Sequence, residues 1–315
     1  MPLSLRRGAV TAVLERHEGL ARIEVDGVPC IAYPLLTGPV ALSDEVLVNT
    51  QGRDLGLGSG GFDVLYANLT RGLGLAAEPG AHVMKLPYTP GQVAARHAEE
   101  DGPLAESLDG IPVICCSLHS QLAPVCAALA GFRVAYVQLE GGALPLGLSD
   151  TVRILRQRSL LAATVSVGAC FGGDVECVTA WSALAWAKAA DFNVIVCAIG
   201  PGIVGTASRL GHGGVAAAAA ANAALALGGR PIVAARVSEG DERERHRGLS
   251  HHTQAVLDLC LGEVEIGLDS EGWEDACAGL PMSHMGRGPT DDPAFFAAAY
   301  AAGRLARQAL ESARP

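Results

Sequence analysis

The chain has 315 residues, of which half are apolar and 18% are charged, and its formal net charge is −10. This length is sufficient for one large domain and a small one, and the apolar content excludes an intrinsically disordered protein. The negative charge repels phosphate backbones and anionic lipids, so we expect neither nucleic-acid nor membrane binding. Nine cysteines without a CxxC pair predict reduced thiols and a cytoplasmic protein.

Residues 1–70 are predicted to form a small antiparallel β-barrel-like domain. Short runs rich in β-branched or alternating apolar residues are separated by glycine, proline and aspartate, a pattern that is typical of short antiparallel strands. The Asp-Gly pair within EVDGVPC predicts a tight hairpin. Residues 71–110, which contain Pro87 and Pro90, are predicted to be a connector.

Residues 111–315 alternate apolar strands with helices, beginning with IPVICCS and QLAPVCAALAG. Strands that are apolar throughout indicate a parallel sheet with helices on both faces. We therefore predict an α/β fold with a doubly wound, mostly parallel six-stranded sheet. Asp292 and Pro293 are predicted to cap and begin the final helix. The alanine-rich helix 214–228 and the apolar tail 294–310 would expose small side chains in a monomer, so we expect a homodimer.

In an open parallel sheet, ligands bind beyond the carboxyl ends of the strands. The predicted loops at this edge carry the glycines, histidines and charged residues, whereas the opposite connections are short and lack such clusters. We therefore predict one shared pocket at the carboxyl edge. A nucleophilic pair of Cys116 or Ser117 with His119 is an open alternative there. The predicted catalytic residues are His119, Asp174, His251 and His252.

The segment GPGIVG, residues 200–205, follows a predicted strand and matches GxGxxG. The acidic residue that a dinucleotide site needs about twenty positions later is missing. A more general anion-binding glycine loop is therefore favoured, and a tight turn that requires glycine stays open. The residues predicted to bind an anion or cofactor are Gly200, Gly202, Gly205, His212, Arg245, Arg247 and Ser250.

The segment RERHRGLSHHT, residues 243–253, places three histidines around a helix start. Ser250 is the predicted N-cap. The positive end of the helix dipole should keep the next two imidazoles neutral, so that they can bind a metal or accept a proton. A metal site, an anion site and a structural polar cluster all remain open, and no recognised metal-ligand spacing is present. The metal candidates are His246, His251, His252 and Asp241.

The segments CSLHSQLAPV, GGALPLGLSD, FGGDVE, GPGIVGTASRLGHGG and RHRGLSHHT resemble the bacterial domain-of-unknown-function family 3866. The resemblance extends over nearly the whole chain and implies one integrated protein, but it brings no reaction, cofactor or catalytic residue. From the residues themselves we expect an enzyme that acts on a small anionic substrate, phosphorylated or nucleotide-like. The alternative is a non-catalytic protein that binds a small ligand or has a regulatory role.

Overall fold

The computed structural model of the chain describes residues 2–56 and 60–313. By their contacts the residues divide into two units, Met1–Ala95 and Arg96–Pro315. The division falls inside the segment predicted as a connector. The part of that segment before residue 96 contains a short antiparallel hairpin of β6 (Val83–Lys85) and β7 (Val93–Ala95), and the remainder belongs to the second unit.

Five strands of the first unit close into a barrel around a small apolar core. All neighbouring strands in it are antiparallel except the pair formed by the third and fifth, which run parallel. Asp26 and Gly27, both with positive φ, form the two-residue turn that joins β2 to β3, so the predicted hairpin is confirmed. The strands are β1 (Leu5–His17), β2 (Leu20–Val25), β3 (Val28–Ala32), β4 (Glu45–Asn49) and β5 (Asp63–Asn68), with short helices α1 (Pro34–Thr37) and α2 (Gln51–Asp54).

The second unit contains a seven-stranded sheet in which every neighbouring pair is parallel. The predicted α/β fold with a small barrel and a parallel sheet is therefore confirmed. The sheet has one strand more than predicted, because Val175–Cys177 forms a short edge strand before the helix that begins at Ala180. In spatial order the strands are β11 (Val175–Cys177), β10 (Ala163–Val167), β9 (Val134–Leu139), β12 (Val194–Ile199), β8 (Pro112–Cys116), β13 (Arg230–Ala234) and β16 (Glu265–Gly267).

Helices cover both faces of this sheet, as expected for strands that are apolar on both sides. One face carries α3 (Leu122–Ala128), α4 (Asp150–Gln157), α8 (Trp273–Ala276) and α9 (Pro293–Ser312). The other face carries α5 (Ala180–Ala189), α6 (Ala216–Ala226) and α7 (His251–Leu259). Short 3-10 helices occupy Ala98–Glu100, His119–Gln121, Leu146–Leu148, Gly213–Val215 and Glu244–His246. Within the described ranges, no helix combines the length and apolar character needed to cross a lipid bilayer.

The small side chains of α6 and α9 pack inside the second unit. Ala217, Ala220 and Ala224 of α6 are fully buried against the sheet. Gly303 of α9 lies so close to α3 that an added Cβ would lie 2.6 Å from the Val125 carbonyl oxygen. The reason given for a homodimer is therefore wrong, because these alanines and glycines serve close packing within one chain. The homodimer itself stays a prediction.

A small antiparallel pair leads from the sheet to the candidate site. β14 (Val237–Ser238) starts shortly after β13 ends, and β15 (Gly248–Leu249) pairs with it. Residues 239–247 form the loop between these two strands, and α7 begins two residues after β15. This loop and the start of α7 therefore lie at the carboxyl edge of the parallel sheet, near the end of β13.

Candidate functional site

Four histidines from two loops meet at the carboxyl edge of the sheet. His212 lies in the loop after β12, whereas His246, His251 and His252 follow β13. The ring of His212 stacks on that of His252, with centroids 3.6 Å apart and an angle of 17° between the planes. The centroids of His246, His251 and His252 lie 4.5 to 4.8 Å from one another. The structure thus brings together four of the residues predicted for the shared pocket.

Ser250 organises the start of α7. Its hydroxyl oxygen accepts a hydrogen bond from the backbone N–H of His252 at 3.2 Å, which confirms the predicted N-cap. The same oxygen lies 2.7 Å from Nδ1 of His246, and the Ser250 N–H donates to the carbonyl of Arg236 at 2.9 Å. The capping residue therefore holds the two histidines and the segment after β13 in a fixed arrangement.

Arg236, which was not predicted, lies at the centre of the site. Its side chain is fully buried. Nη1 lies 3.3 Å from Nδ1 of His252, and Nη2 donates to Oδ2 of Asp241 at 3.0 Å. Nε is buried and has no hydrogen-bond partner among the described residues. In the sequence, Arg236 could have been identified as a candidate because it directly follows the apolar run PIVAA. A charged residue next to a buried strand is seldom buried unless it has specific partners.

Two aspartates balance part of the positive charge. Asp241 accepts hydrogen bonds from Arg243, Arg236 and Arg287. These bonds, of which that from Arg243 has the largest effect, hold the pKa of Asp241 well below its usual range. Asp292 accepts from Arg287 at 3.1 Å. Three arginines face two aspartates in this network, so it carries one net positive charge.

The histidines of the cluster are neutral at physiological pH. Burial, followed by the neighbouring charges, lowers the pKa of His252 to about 2 and that of His246 to about 3. Burial also lowers the pKa of His251 and of His212. The backbone of Arg209 partly opposes the lowering of the His212 pKa, although neither ring nitrogen of His212 makes a hydrogen bond within the described residues. Neutral imidazoles can donate a hydrogen bond, accept a proton or bind a metal.

A fifth histidine, His284, was also not predicted. It lies between α8 and α9, and its ring stacks on Phe295 with centroids 3.8 Å apart. Its Nδ1 lies 3.2 Å from the Ser120 hydroxyl, and its buried Nε2 has no hydrogen-bond partner in the part of the chain that the structure describes. Burial, followed by the charge of Arg236, lowers its pKa to about 3. In the sequence, the polar, glycine-containing segment MSHMGRGP gives only a weak indication that His284 belongs to a functional site.

Among the described residues, several buried polar atoms without a hydrogen-bond partner belong to the histidine cluster or to residues beside it. They are atoms of Ser117, His212, Arg236, His251 and His284. Leaving one such atom unsatisfied costs roughly 1–3 kcal/mol. The arginine Nε–H is always a donor and the serine hydroxyl is able to donate. The Nε–H of Arg236 is therefore a donor that requires an acceptor, whereas each unpartnered imidazole nitrogen donates or accepts according to its tautomer.

The glycine loop at residues 200–205 lies against neighbouring backbone. An added Cβ would lie 2.0 Å from the carbonyl oxygen of Ala143 at Gly200, and 2.8 Å from the Cβ of His212 at Gly205. Gly202 has a φ of +73° and is exposed. These contacts favour the alternative in which glycine permits close backbone approach, and anion binding by the three glycines stays a prediction. Backbone acceptors already use the N–H groups of Val204, which donates to Gly141, and of Gly213, which donates to Val204.

The two arginines predicted to bind an anion lie beside the cluster and are exposed. The positive charge of Arg245 contributes, after burial, to the lowered pKa of His251. Arg247 donates from Nε to the carbonyl oxygen of Asp241 at 3.0 Å. Both side chains therefore add positive charge at the outer side of the site.

His119 lies at the predicted edge, but both of its ring nitrogens are occupied. Nδ1 lies 3.1 Å from the carbonyl oxygen of Ile199, and Nε2 lies 2.6 Å from the hydroxyl oxygen of Ser149. Burial lowers its pKa to about 4. His119 therefore links α4 to the end of β12, and it has no free nitrogen for the predicted proton transfer or for a nucleophilic pair with Ser117.

Asp174 lies at the opposite edge of the sheet, so its predicted place in the shared pocket is wrong. Its Oδ2 accepts from the backbone N–H and the hydroxyl of Thr164, near the amino end of β10, and its Oδ1 pairs with Arg156. The physical reason is that β11 runs parallel to β10. Residues 168–174 must therefore return the chain to the amino edge.

The three histidine candidates for a metal site meet, since one ligand atom of each of His246, His251 and His252 lies within 4.8 Å of the others. Asp241 is not available as a fourth ligand, because its carboxylate oxygens accept from arginines. Nδ1 of His252 lies 3.3 Å from Nη1 of Arg236, and a guanidinium can only donate. The network beside the three histidines carries one net positive charge.

A sequence profile of the family described as "Protein of unknown function (DUF3866)" matches residues 29–277. The matched range contains the four clustered histidines, Arg236 and Asp241, but ends before His284 and Asp292. A comparison with curated proteins finds no match.

Proposed function

The chain belongs to the family described as "Protein of unknown function (DUF3866)", whose description assigns no reaction, and we propose that it is an enzyme acting on a small anionic substrate. The substrate binds at the carboxyl edge of the parallel sheet, where the loops after β12 and β13 meet. The observation that carries this proposal is the fully buried Arg236, whose Nε lacks a partner.

The charge of the site supports an anionic ligand. The network has one more arginine than aspartate, and the nearby histidines are too weakly basic to add charge. Arg243 and Arg287 are partly exposed, with exposed side-chain fractions of 39% and 20%. An anion that accepts from Arg236 would satisfy the unpartnered donor and neutralise the network in one step. Arg245, Arg247 and the N-terminus of α7, capped by Ser250, favour the same charge.

The histidines supply the acid–base chemistry of the proposed enzyme. His251 is half-buried, and among the described residues its enclosed Nε2 has no hydrogen-bond partner. We assign it as the base, because a neutral imidazole with an unpartnered nitrogen can take a proton from a substrate group that reaches it. His246, whose ring centroid lies 4.8 Å from that of His251, is the alternative base. We also propose a cytoplasmic location, which the nine free cysteines support.

Thermal unfolding in the presence of inorganic phosphate tests the anion site. We expect phosphate to raise the unfolding temperature of the purified protein, because a ligand that binds only the folded state stabilises it. Arg243→Met, which removes one positive charge at the half-exposed side of the network, should weaken this effect. The exposed His82→Ala in the first unit serves as control. No phosphate effect beyond that of matched chloride would contradict the proposal.

The alternative is a non-catalytic protein that senses such an anion. The two are separated by His251→Ala, assayed on a panel of small phosphate esters with phosphate affinity measured in parallel. An enzyme should lose turnover and keep most of its affinity, because His251 acts on the reacting proton. A sensor shows no turnover of any panel member in the unmodified protein.

A further inference from the structure

We propose that Arg236 holds the proton of His252 on Nε2, and that His252 is thereby a fixed hydrogen-bond donor to an oxygen of a phosphoryl group and not a metal ligand. This inference rests on the proposed function and deepens it. It names the ligand class, gives His252 a role different from that of His251, and makes Arg236 a positioning residue.

The first step is the direction of one hydrogen bond. A guanidinium has five N–H donors and no acceptor. The 3.3 Å contact between its Nη1 and Nδ1 of His252 therefore requires a lone pair on Nδ1. A neutral imidazole with a lone pair on Nδ1 carries its hydrogen on Nε2.

The second step is that both partners are held in place. Nη2 of Arg236 donates to Asp241, and its backbone N–H donates to the hydroxyl of Thr253 at 2.8 Å. On the other side, the backbone N–H of His252 is bound by Ser250, and its ring is stacked on that of His212. The ring of His252 therefore cannot turn without losing the stacking contact or the bond from Arg236.

The third step is that Nε2 of His252 is available to a ligand. Among the described residues it makes no hydrogen bond, and it is not among the fully enclosed polar atoms without a partner. A donor with no acceptor at the first turn of α7 adds to the anion preference of the helix start. The ligand atom that contacts His252 must therefore be an acceptor.

The fourth step concerns the shape of the anion. Arg236 gives one of its five N–H groups to His252 and one to Asp241, so three remain, among them the unpartnered Nε–H. Together with the Nε2–H of His252, these donors exceed the two oxygens of a carboxylate. A phosphoryl group has three strong acceptor oxygens and can satisfy more of them. The ligand class is therefore a phosphate ester.

The same tautomer removes one ligand from the metal candidates. A nitrogen that carries a hydrogen has no lone pair for a metal, and metal-bound histidine must use a deprotonated nitrogen. Only His246 and His251 then remain, and a structural or catalytic zinc site needs at least three protein ligands.

The tautomer is measured directly by long-range ¹H–¹⁵N correlation spectra of protein labelled with ¹⁵N-histidine. The signals of His252 are assigned from the spectrum of His252→Gln. We expect His252 to carry its hydrogen on Nε2 in the unmodified protein. Arg236→Lys keeps the positive charge but should not reach both Asp241 and His252, so the Nδ1–H form of His252 should appear. A His252 with its hydrogen on Nδ1 in the unmodified protein would overturn the inference.

Binding of inorganic phosphate and of Zn²⁺ is then compared by calorimetry. His252→Ala should weaken phosphate binding about tenfold or more, as expected for loss of one hydrogen bond to a charged group, and the amide of His252→Gln should restore part of it. His82→Ala should leave the phosphate affinity unchanged. Stoichiometric Zn²⁺ binding that His252→Ala abolishes, or acetate binding as tight as that of phosphate, would overturn the inference.

The two proposals fail in different ways. If phosphate binds while His252 carries its hydrogen on Nδ1, the role of Arg236 is wrong and the proposed function stands. If phosphate does not bind at all, the proposed function is wrong, and the ligand named here is wrong with it.

Discussion

Nη2 of Arg236 donates to Oδ2 of Asp241 across 3.0 Å, and both side chains are almost completely buried, with exposed fractions of 0% and 2%. Asp241 also accepts from two further arginines, so this aspartate connects the buried guanidinium to the loop after β14 and to the segment before α9. The pair thus joins the parts of the site that are distant in sequence.

We expect removal of either member of this pair to destabilise the protein strongly. Arg236→Met leaves Asp241 with fewer donors in a buried position, and breaking a buried pair in this way costs about 3–5 kcal/mol. Arg243→Met removes a partner of the same aspartate whose side chain is 39% exposed, and it should cost less than about 1 kcal/mol. Urea denaturation of both variants measures the difference. Equal losses of unfolding free energy in the two variants would show that the burial of Arg236 does not determine its contribution to stability.

A second prediction separates His119 from the site. Ser149 caps α4 by accepting from the N–H of Val152, and it also bonds to Nε2 of His119. Ser149→Ala should therefore cost about 1–2 kcal/mol for the cap, and more for the unpaired imidazole. Phosphate affinity should not change, because His119 holds the scaffold and does not touch the ligand.

The matched control for this change is Thr179→Ala. Thr179 caps α5 in the same way through Ser182, but it is exposed and supports no buried histidine. Its loss of unfolding free energy should be smaller than that of Ser149→Ala. A Ser149→Ala variant that folds normally but loses phosphate binding would return His119 to the functional site.

The sequence predicts the parts of the fold that depend on local pattern. Runs that are apolar throughout predicted the parallel sheet, and the Asp26–Gly27 pair predicted the hairpin. Ser250 was identified as a cap because its position before a periodic apolar helix is sufficient for that inference. Asp292 and Pro293 were placed correctly at the start of α9. The Asp292 side chain, however, does not cap α9 and instead binds Ser238 and Arg287.

The sequence does not show contacts between distant segments. Asp174 was assigned to the wrong edge because the usual alternation of strand and helix was assumed, whereas β10 and β11 are joined by a short loop without a helix. The local sequence around Arg236 and His284 gives at most a weak signal and does not reveal their roles, since these depend on burial beside Asp241, His252 and Ser120. Such pairings are decided by tertiary packing, which a single sequence does not display.

A third prediction concerns the contact between the glycine loop and His212. Gly205 pairs with His212 in an isolated antiparallel bridge, and an added Cβ would lie 3.0 Å from the Cα of His212 as well as 2.8 Å from its Cβ. Gly205→Ala should therefore displace His212 from its stacking contact with His252. We expect a loss of about 1–3 kcal/mol in the free energy of unfolding, together with weaker phosphate binding.

Gly102→Ala is the control for this change. Gly102 is exposed, has no atom within 4 Å of an added Cβ, and does not have a positive φ. It should change neither stability nor phosphate affinity by a measurable amount. If Gly205→Ala behaves like Gly102→Ala in both measurements, the loop does not hold His212 in place.

The last prediction is that the protein loses stability steeply below pH 6.5. In the unfolded chain a histidine titrates near pH 6.5. In the folded protein, burial lowers the pKa of His119 to about 4, of His246 and His284 to about 3, and of His252 to about 2. Between pH 6.5 and about 4 the unfolded state therefore binds protons that the folded state does not. Their contribution to stability is complete above pH 6.5 and is lost as the pH falls.

Each of these histidines should reduce the free energy of unfolding by about 1.4 kcal/mol for each pH unit below 6.5. The lowered pKa values of Asp241 and Asp292 act in the same direction at still lower pH, because a carboxylate stabilised in the folded state is protonated first in the unfolded one. Urea denaturation at pH 8, 7, 6 and 5 measures the slope. His252→Gln should make the slope below pH 6.5 shallower by the contribution of one histidine. A free energy of unfolding that stays constant from pH 7 to pH 5 would mean that these histidines take up protons in the folded protein, and that the site is open to water.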